Sequence, residues 1–273
     1  MSASHAEADR NGLRATYEVG NAATTLTALS DALKTCDLER RRQARPEIEG
    51  RIAAAWANFD VDRRSLLLTN AGPIRPERVM AELQPLLTAE TTVVADASYS
   101  SMWIIGQLKA LAPGMRFLTP RGLAGLGWGL PVAIGAKVAD PRHPVVALVG
   151  DGGFAHSWAE LETLVRSNIA ITIVLLNNGV LGYQRDAETV KFGRYTSACH
   201  FAPVDHAAIA RACGCEAMRV DNANALPAIL RNALSSTTAT FIEVMTDPEA
   251  HPPISLYADG IARREGSARL DAA

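Results

Sequence analysis

Two short polar patches carry residue types suited to holding a metal ion and an anion together. The first, Gly150-Asp151-Gly152-Gly153-Phe154, follows the apolar run Pro144 to Val149. Its three glycines let the backbone approach a ligand closely, and a helix starting there offers free N–H groups to an anion. Asp151 adds a carboxylate at the same spot. A carboxylate and an anion repel unless a cation lies between them, so the patch predicts Mg²⁺ or another hard divalent ion. The second patch, Asn177-Asn178-Gly179, ends the apolar run Ile169 to Leu176. Asn is a poor strand former, and its amide oxygen is a neutral hard ligand. Asp151 and Asn178 stand 27 positions apart. One strand–helix–strand crossover fills that gap and brings both to one sheet edge. The alternative for the pair is a plain strand-end turn with an Asx cap.

The elements that must position these patches are legible as alternating periods. Asn21 caps a helix running to about Leu33, after a short strand over 15–19. Asp37 to Arg45 is charged and reads as a solvated link, and Pro46 reads as the start of another helix. From Pro73 the pattern turns regular. Helices are predicted over 75–87, 102–111, 126–138, 154–166, 205–213 and 225–234. Strands are predicted over 92–95, 116–118, 144–149, 169–176 and 240–245. Strands that are apolar throughout and alternate with helices predict an α/β fold, a doubly wound parallel sheet flanked by helices. The domain spans 73–250, with an N-terminal appendage over 1–72 and a tail over 251–273.

Composition excludes several other classes. The 273 residues are 48% hydrophobic and 21% charged, an ordinary globular balance. A net charge of −2 and 5% aromatics favour neither a nucleic-acid groove nor an anionic membrane surface. No apolar run nears the roughly 20 residues of a spanning helix, and no signal peptide opens the chain. A cytoplasmic protein is expected. Cys36, Cys199, Cys213 and Cys215 have neither zinc-knuckle nor CxxC spacing and read as free thiols.

Gly150-Asp151-Gly152, followed at this distance by Asn177-Asn178, resembles the thiamine diphosphate motif of acetolactate synthase-like enzymes. The stretch from Gly122 to Ala136 resembles the glycine-rich segment of the same family, against a dinucleotide loop or tight helix packing as alternatives. Ala208 to Val220 and Phe241 to Val244 with Asp247-Pro248 resemble its last helix–strand units. The match covers about 73–250, the pyrophosphate-binding domain, and extends weakly to Val19-Gly20-Asn21-Ala22, like the end of the family's central domain.

The resemblance implies roles by position. Asp151, the Asn178 side chain and the Val180 carbonyl bind Mg²⁺. Gly150 belongs to the cofactor-binding turn, Gly152 and Gly153 meet the diphosphate through backbone N–H groups, and Ala97, Ser98, Tyr99 and Ser100 form a second loop against it. Leu126 props the cofactor in its bent form, and the Ala124 carbonyl accepts from its amino group. The implied activity is decarboxylation of a 2-oxo acid with transfer of the acyl carbanion to an acceptor carbonyl. The alternatives are a 2-oxo acid decarboxylase subunit and a non-catalytic cofactor-binding subunit.

In this family a glutamate on a separate pyrimidine-binding domain activates the cofactor, and no segment here resembles that domain. The chain therefore reads as half of a split enzyme, whose partner subunit carries the glutamate, in a hetero-oligomer such as a dimer of heterodimers. FAD, held by the central domain in acetolactate synthases, has no support in this sequence. His156, His200, Tyr183 and Arg121 are further candidates for substrate contact, each against a structural alternative. Trp103, Trp128 and Trp158 read as core.

Overall fold

The computed structural model describes residues 19–120 and 122–253. Positions 15–18 of the strand predicted over 15–19, Arg121 and the tail from 254 lie outside the described residues. The chain divides into two compact units after Asp62.

The first unit holds two helices. Ala22–Leu33 starts as expected, with the Asn21 side chain accepting from Ala23 N at 3.0 Å and Thr24 N at 3.2 Å. The second, Glu39–Asp62, corrects the expected link, because Pro46 lies inside it rather than at its start. Asp37 accepts from Glu39 N at 2.9 Å, and the residues before the proline are good helix formers. Glu39–Gln43 and Arg45–Glu49 pairs, each at i,i+4 spacing, add local support around the proline. No described residue of either helix is buried.

The second unit contains one six-stranded sheet. Its strands are β1 (Thr92–Ala95), β2 (Phe117–Leu118), β3 (Val145–Gly150), β4 (Thr172–Asn177), β5 (Glu216–Val220) and β6 (Thr240–Met245). They lie in the order β2-β1-β3-β4-β6-β5, and every pair is parallel. β1 and β4 are buried along their whole length. That burial is why their sequences are apolar runs and do not alternate.

Alternate residues feed two cores, one on each face. Val146, Leu148, Val174 and Leu176 pack with the helices Pro76–Leu83, Tyr99–Gln107 and Leu226–Ser235. Ala147, Val149, Ile173 and Leu175 pack with Gly129–Ala139, Glu160–Arg166 and His206–Ala212. The helix after β1 covers one face, and the helices before and after β3 cover the other. The carboxyl ends of β1 and β3 are therefore the switch point, where such sheets open a crevice.

Some predicted helices differ in extent, among them that over 102–111, which runs Tyr99–Gln107, and one helix was not predicted. Glycine delays the helix expected from Leu126 until Gly129, because Gly122 (φ 87°) and Gly127 (φ 88°) hold left-handed turns. The helix expected over 154–166 is split into Asp151–Phe154 and Glu160–Arg166 by a turn. The helix Gly182–Phe192 was not anticipated; its charged, weakly patterned sequence hid it.

Phe241, near the start of β6, is fully buried and packs on Phe154, with ring centroids 5.0 Å apart. Phe241→Ala should destabilise the chain by about 3–5 kcal/mol, read as a lower midpoint in urea unfolding followed by circular dichroism.

Candidate active site

The crevice at the switch point gathers loops from three strand ends. Ala97, Ser98, Tyr99 and Ser100 follow β1; Gly150, Asp151, Gly152 and Gly153 close β3; Asn178 and Val180 follow β4. Leu126 reaches the same cleft from the glycine-rich loop. Ala124 does not: it is exposed on that loop, outside the cleft lining. Its φ of 54° lies in the left-handed region that favours glycine.

Asp151 is 5% exposed. Its two carboxylate oxygens accept backbone N–H groups, Gly152 at 2.8 Å and Gly179 at 2.7 Å. Burial pushes its pKa up to about 6, against those hydrogen bonds, which pull it down. Asn178 Oδ1 accepts from Val180 N at 3.2 Å, and the Val180 carbonyl accepts from Gly182 N at 2.9 Å. A carbonyl-type oxygen keeps a second lone pair after one such bond. The set is thus one carboxylate and two neutral oxygens. Among the described residues no cluster of three His, Cys, Asp or Glu side chains could hold a metal. An all-oxygen, singly charged set suits Mg²⁺ when an anion completes the shell, and it does not suit a thiolate- or imidazole-bound metal.

The doubled glycine has a packing cause as well. A Cβ at Gly153 would lie 2.0 Å from Asp96 Oδ2, and one at Gly152 would lie 2.5 Å from Leu181 Cδ2. Asp96 itself is a residue that sequence reasoning passed over. It is 1% exposed, and its carboxylate accepts from the backbone N–H groups of Ala97 (2.8 Å), Gly127 (3.0 Å), Trp128 (3.1 Å) and Gly129 (3.3 Å). An acidic residue closing an apolar strand was the available signal. Next to it, Ser98 holds φ 68°, a strained value for a non-glycine residue at the mouth of a helix.

The thiamine pyrophosphate enzyme family, C-terminal TPP binding domain, matches residues 96–244. The chain belongs to this family. It is 33% identical over 182 residues to an acetolactate synthase large subunit of Mycobacterium tuberculosis, covering 66% of this chain and 33% of that one. It is 28% identical over 228 residues to a benzoylformate decarboxylase of Pseudomonas aeruginosa, covering 84% and 40%. Among solved structures, a thiamine diphosphate-dependent 4-hydroxybenzoylformate decarboxylase of Rhodococcus jostii RHA1 matches with TM-score 0.62 and 25% identity, over 66% of this chain and 34% of that one. The chain spans about a third of the length of the first curated relatives it matches.

Within this TPP-binding domain the remaining candidates separate. His156 is exposed in the turn after Asp151–Phe154. His200 is exposed, pairs with Val180 in an isolated bridge and packs on Tyr195 at 5.5 Å; it does not line the cleft. Tyr183 packs edge-on against Tyr99 at 5.9 Å, also outside the lining. Trp103 is core and borders the cleft, but Trp128 and Trp158 are exposed, contrary to expectation. The four cysteines are free. No described helix is long and apolar enough to cross a membrane.

Two buried polar networks support the cleft. Tyr99 donates its hydroxyl to Asp186, which also meets His251 at 2.8 Å and Arg185 at 3.2 Å. Burial would raise the Asp186 pKa, but hydrogen bonds from His251 and Tyr99 and the Arg185 charge hold it below the usual range. The second network divides the work of the two asparagines. Asn177 turns away from the cleft and donates to Glu243 at 2.6 Å, while Asn178 lines the cleft. Glu243, fully buried, also accepts from Ala207 N at 3.0 Å and meets His206 at 3.1 Å.

Burial alone would raise the Glu243 pKa; the bonds from His206, Asn177 and Ala207 overcome it and hold the value at about 2. A depressed carboxylate stabilises the fold above its unfolded pKa, and that contribution is lost as pH falls toward the folded value. Glu243 should therefore contribute about 3 kcal/mol at neutral pH, lost between about pH 4.5 and pH 2. Urea unfolding at pH 7, 5 and 3 should show Glu243→Gln less stable at pH 7, with a flatter loss of stability on the acid side.

Proposed function

We propose that this chain supplies the diphosphate- and Mg²⁺-binding part of an acetolactate synthase-like active site. The enzyme decarboxylates a 2-oxo acid and transfers the resulting acyl carbanion to an acceptor carbonyl. The observation that carries the reading is the oxygen-only set of Asp151, Asn178 and Val180 beside the Gly150–Gly153 turn, at the switch point of the sheet.

When bound, thiamine diphosphate supplies the electron sink that carbon dioxide loss requires. The chain's own residues do the positioning. Asp151 and Asn178 hold the metal that neutralises the diphosphate. The loop from Ala97 to Ser100 closes on it from β1, its position fixed by Asp96 on one side and by the Tyr99–Asp186 bond on the other. Leu126 offers an apolar support to the cofactor's body.

The activating glutamate comes from a separate pyrimidine-binding subunit, joined to this chain in a hetero-oligomer. Support for a protein partner on this side comes from apolar residues around the Leu126 loop, where Leu123 is 97% exposed and Trp128 57%. A simple 2-oxo acid decarboxylase is the second reading, favoured by the benzoylformate decarboxylase relative. Product analysis with pyruvate, with and without an aldehyde acceptor, separates the two once the partner is present.

Calorimetry of the chain with thiamine diphosphate should show binding that requires Mg²⁺ and disappears in Asp151→Ala. Metal affinity should fall as pH drops from 7 to 5, because a proton competes for Asp151 near its raised pKa of about 6. Normal metal-dependent binding in Asp151→Ala would refute the metal assignment. Absence of cofactor binding by the chain, alone and with its partner, would refute the function.

A further inference from the structure

A second cavity, of about 450 Å³, adjoins the cleft. It shares Asp151, Asn178 and Thr246 with the cleft, and the rest of its wall is its own. That wall is largely apolar, with Phe201, Val204, Met245 and Pro248 contributing. Its size falls within the ordinary range for small-molecule sites, which pair an apolar lining with a few fixed polar groups.

Arg219 is the polar group that stands out. It lies on edge strand β5 and borders the cavity, and no hydrogen bond or ion pair engages its guanidinium among the described residues. The other ionisable groups in the wall are already engaged: His206 with Glu243, and Asp151 with backbone N–H groups. The sheet order also keeps Arg219 and Asp151 apart. β4 and β6 lie between their strands, so at about 4.8 Å per strand the two lie roughly 14 Å apart across the sheet. A negative group on Arg219 is therefore remote from the Asp151 carboxylate.

We propose that this cavity binds a monocarboxylate with an apolar aliphatic or aryl body. Its carboxylate takes the planar fork of Arg219, which matches two carboxylate oxygens at once. Its body lies against Phe201, Val204 and Met245. Binding in this cavity does not require the cofactor, because every group involved belongs to the chain itself.

The test is calorimetric titration of the full chain, without thiamine diphosphate or Mg²⁺, using hexanoate, hexan-1-ol and acetate as probes. Hexanoate should bind at least about tenfold more tightly than acetate, which lacks the body, and than hexan-1-ol, which lacks the charge. Arg219→Gln, an exposed position on an edge strand, should bring hexanoate down to the level of the alcohol. Ala202→Trp, on the exposed segment of the wall, should fill the cavity and remove binding of both. Equal binding of the three probes, or unchanged hexanoate binding in Arg219→Gln or Ala202→Trp, overturns the proposal. So does no binding of any probe, the result expected if a polypeptide segment occupies the cavity.

Discussion

The carboxylate of Asp96 is the interaction on which the rest of the site depends. It sits at the end of β1, nearly out of contact with water, and collects four backbone N–H groups. A buried carboxylate is costly unless its lone pairs are met by donors, and here the donors come from two loops distant in sequence. One bond set therefore joins Ala97, at the start of the β1 loop, to Gly127, Trp128 and Gly129 at the end of the glycine-rich loop. The same carboxylate lies where a side chain on Gly153 would be. Three loops thus meet around one anion that the protein itself supplies, and the cleft takes its shape from that meeting.

Asp151 stands in contrast to Asp96. Its close backbone bonds come from Gly152 and Gly179, and its carboxyl is held well above the usual range by burial. A carboxylate with spare lone pairs, next to neutral oxygens of Asn178 and Val180, presents an all-oxygen face of the kind that suits a hard cation. The difference between these two buried acids is one of occupancy: backbone donors surround Asp96, whereas Asp151 keeps acceptor capacity beside the cleft. Around them the Tyr99–Asp186 and Asn177–Glu243 bonds fix the β1 and β4 loops from behind. Preorganisation of this kind lets a site hold a highly charged ligand without reordering its own backbone.

The motif residues and the parallel sheet were legible because their signals are local. A strand buried on both faces must be apolar along its length, and an acid, an amide and glycines at two strand ends break that run visibly. The glycine-rich segment was harder. Its small residues look helical from Leu126 onward, yet the positive φ at Gly122 and Gly127 is spent on a loop. The helix Gly182–Phe192 escaped notice because it is held by contacts with Tyr99 and Glu249 more than by an apolar stripe. Trp128 and Trp158 misled because aromatic residues are usually core, and here they are exposed.

By itself the sequence determined the strand and helix alternation and the pairing of Asp151 with Asn178 across one crossover, since each follows from spacing along the chain, and its motifs carried the resemblance to the family. Tertiary structure decided which of two adjacent asparagines faces the cleft. It also assigned Asp96 to hold the loops, took Ala124 out of the cleft lining and placed Arg219 beside an apolar cavity. These outcomes depend on groups that are far apart in the chain and become neighbours only when the sheet forms. A buried polar atom then takes whichever donor or acceptor the fold presents, and linear spacing does not encode that choice.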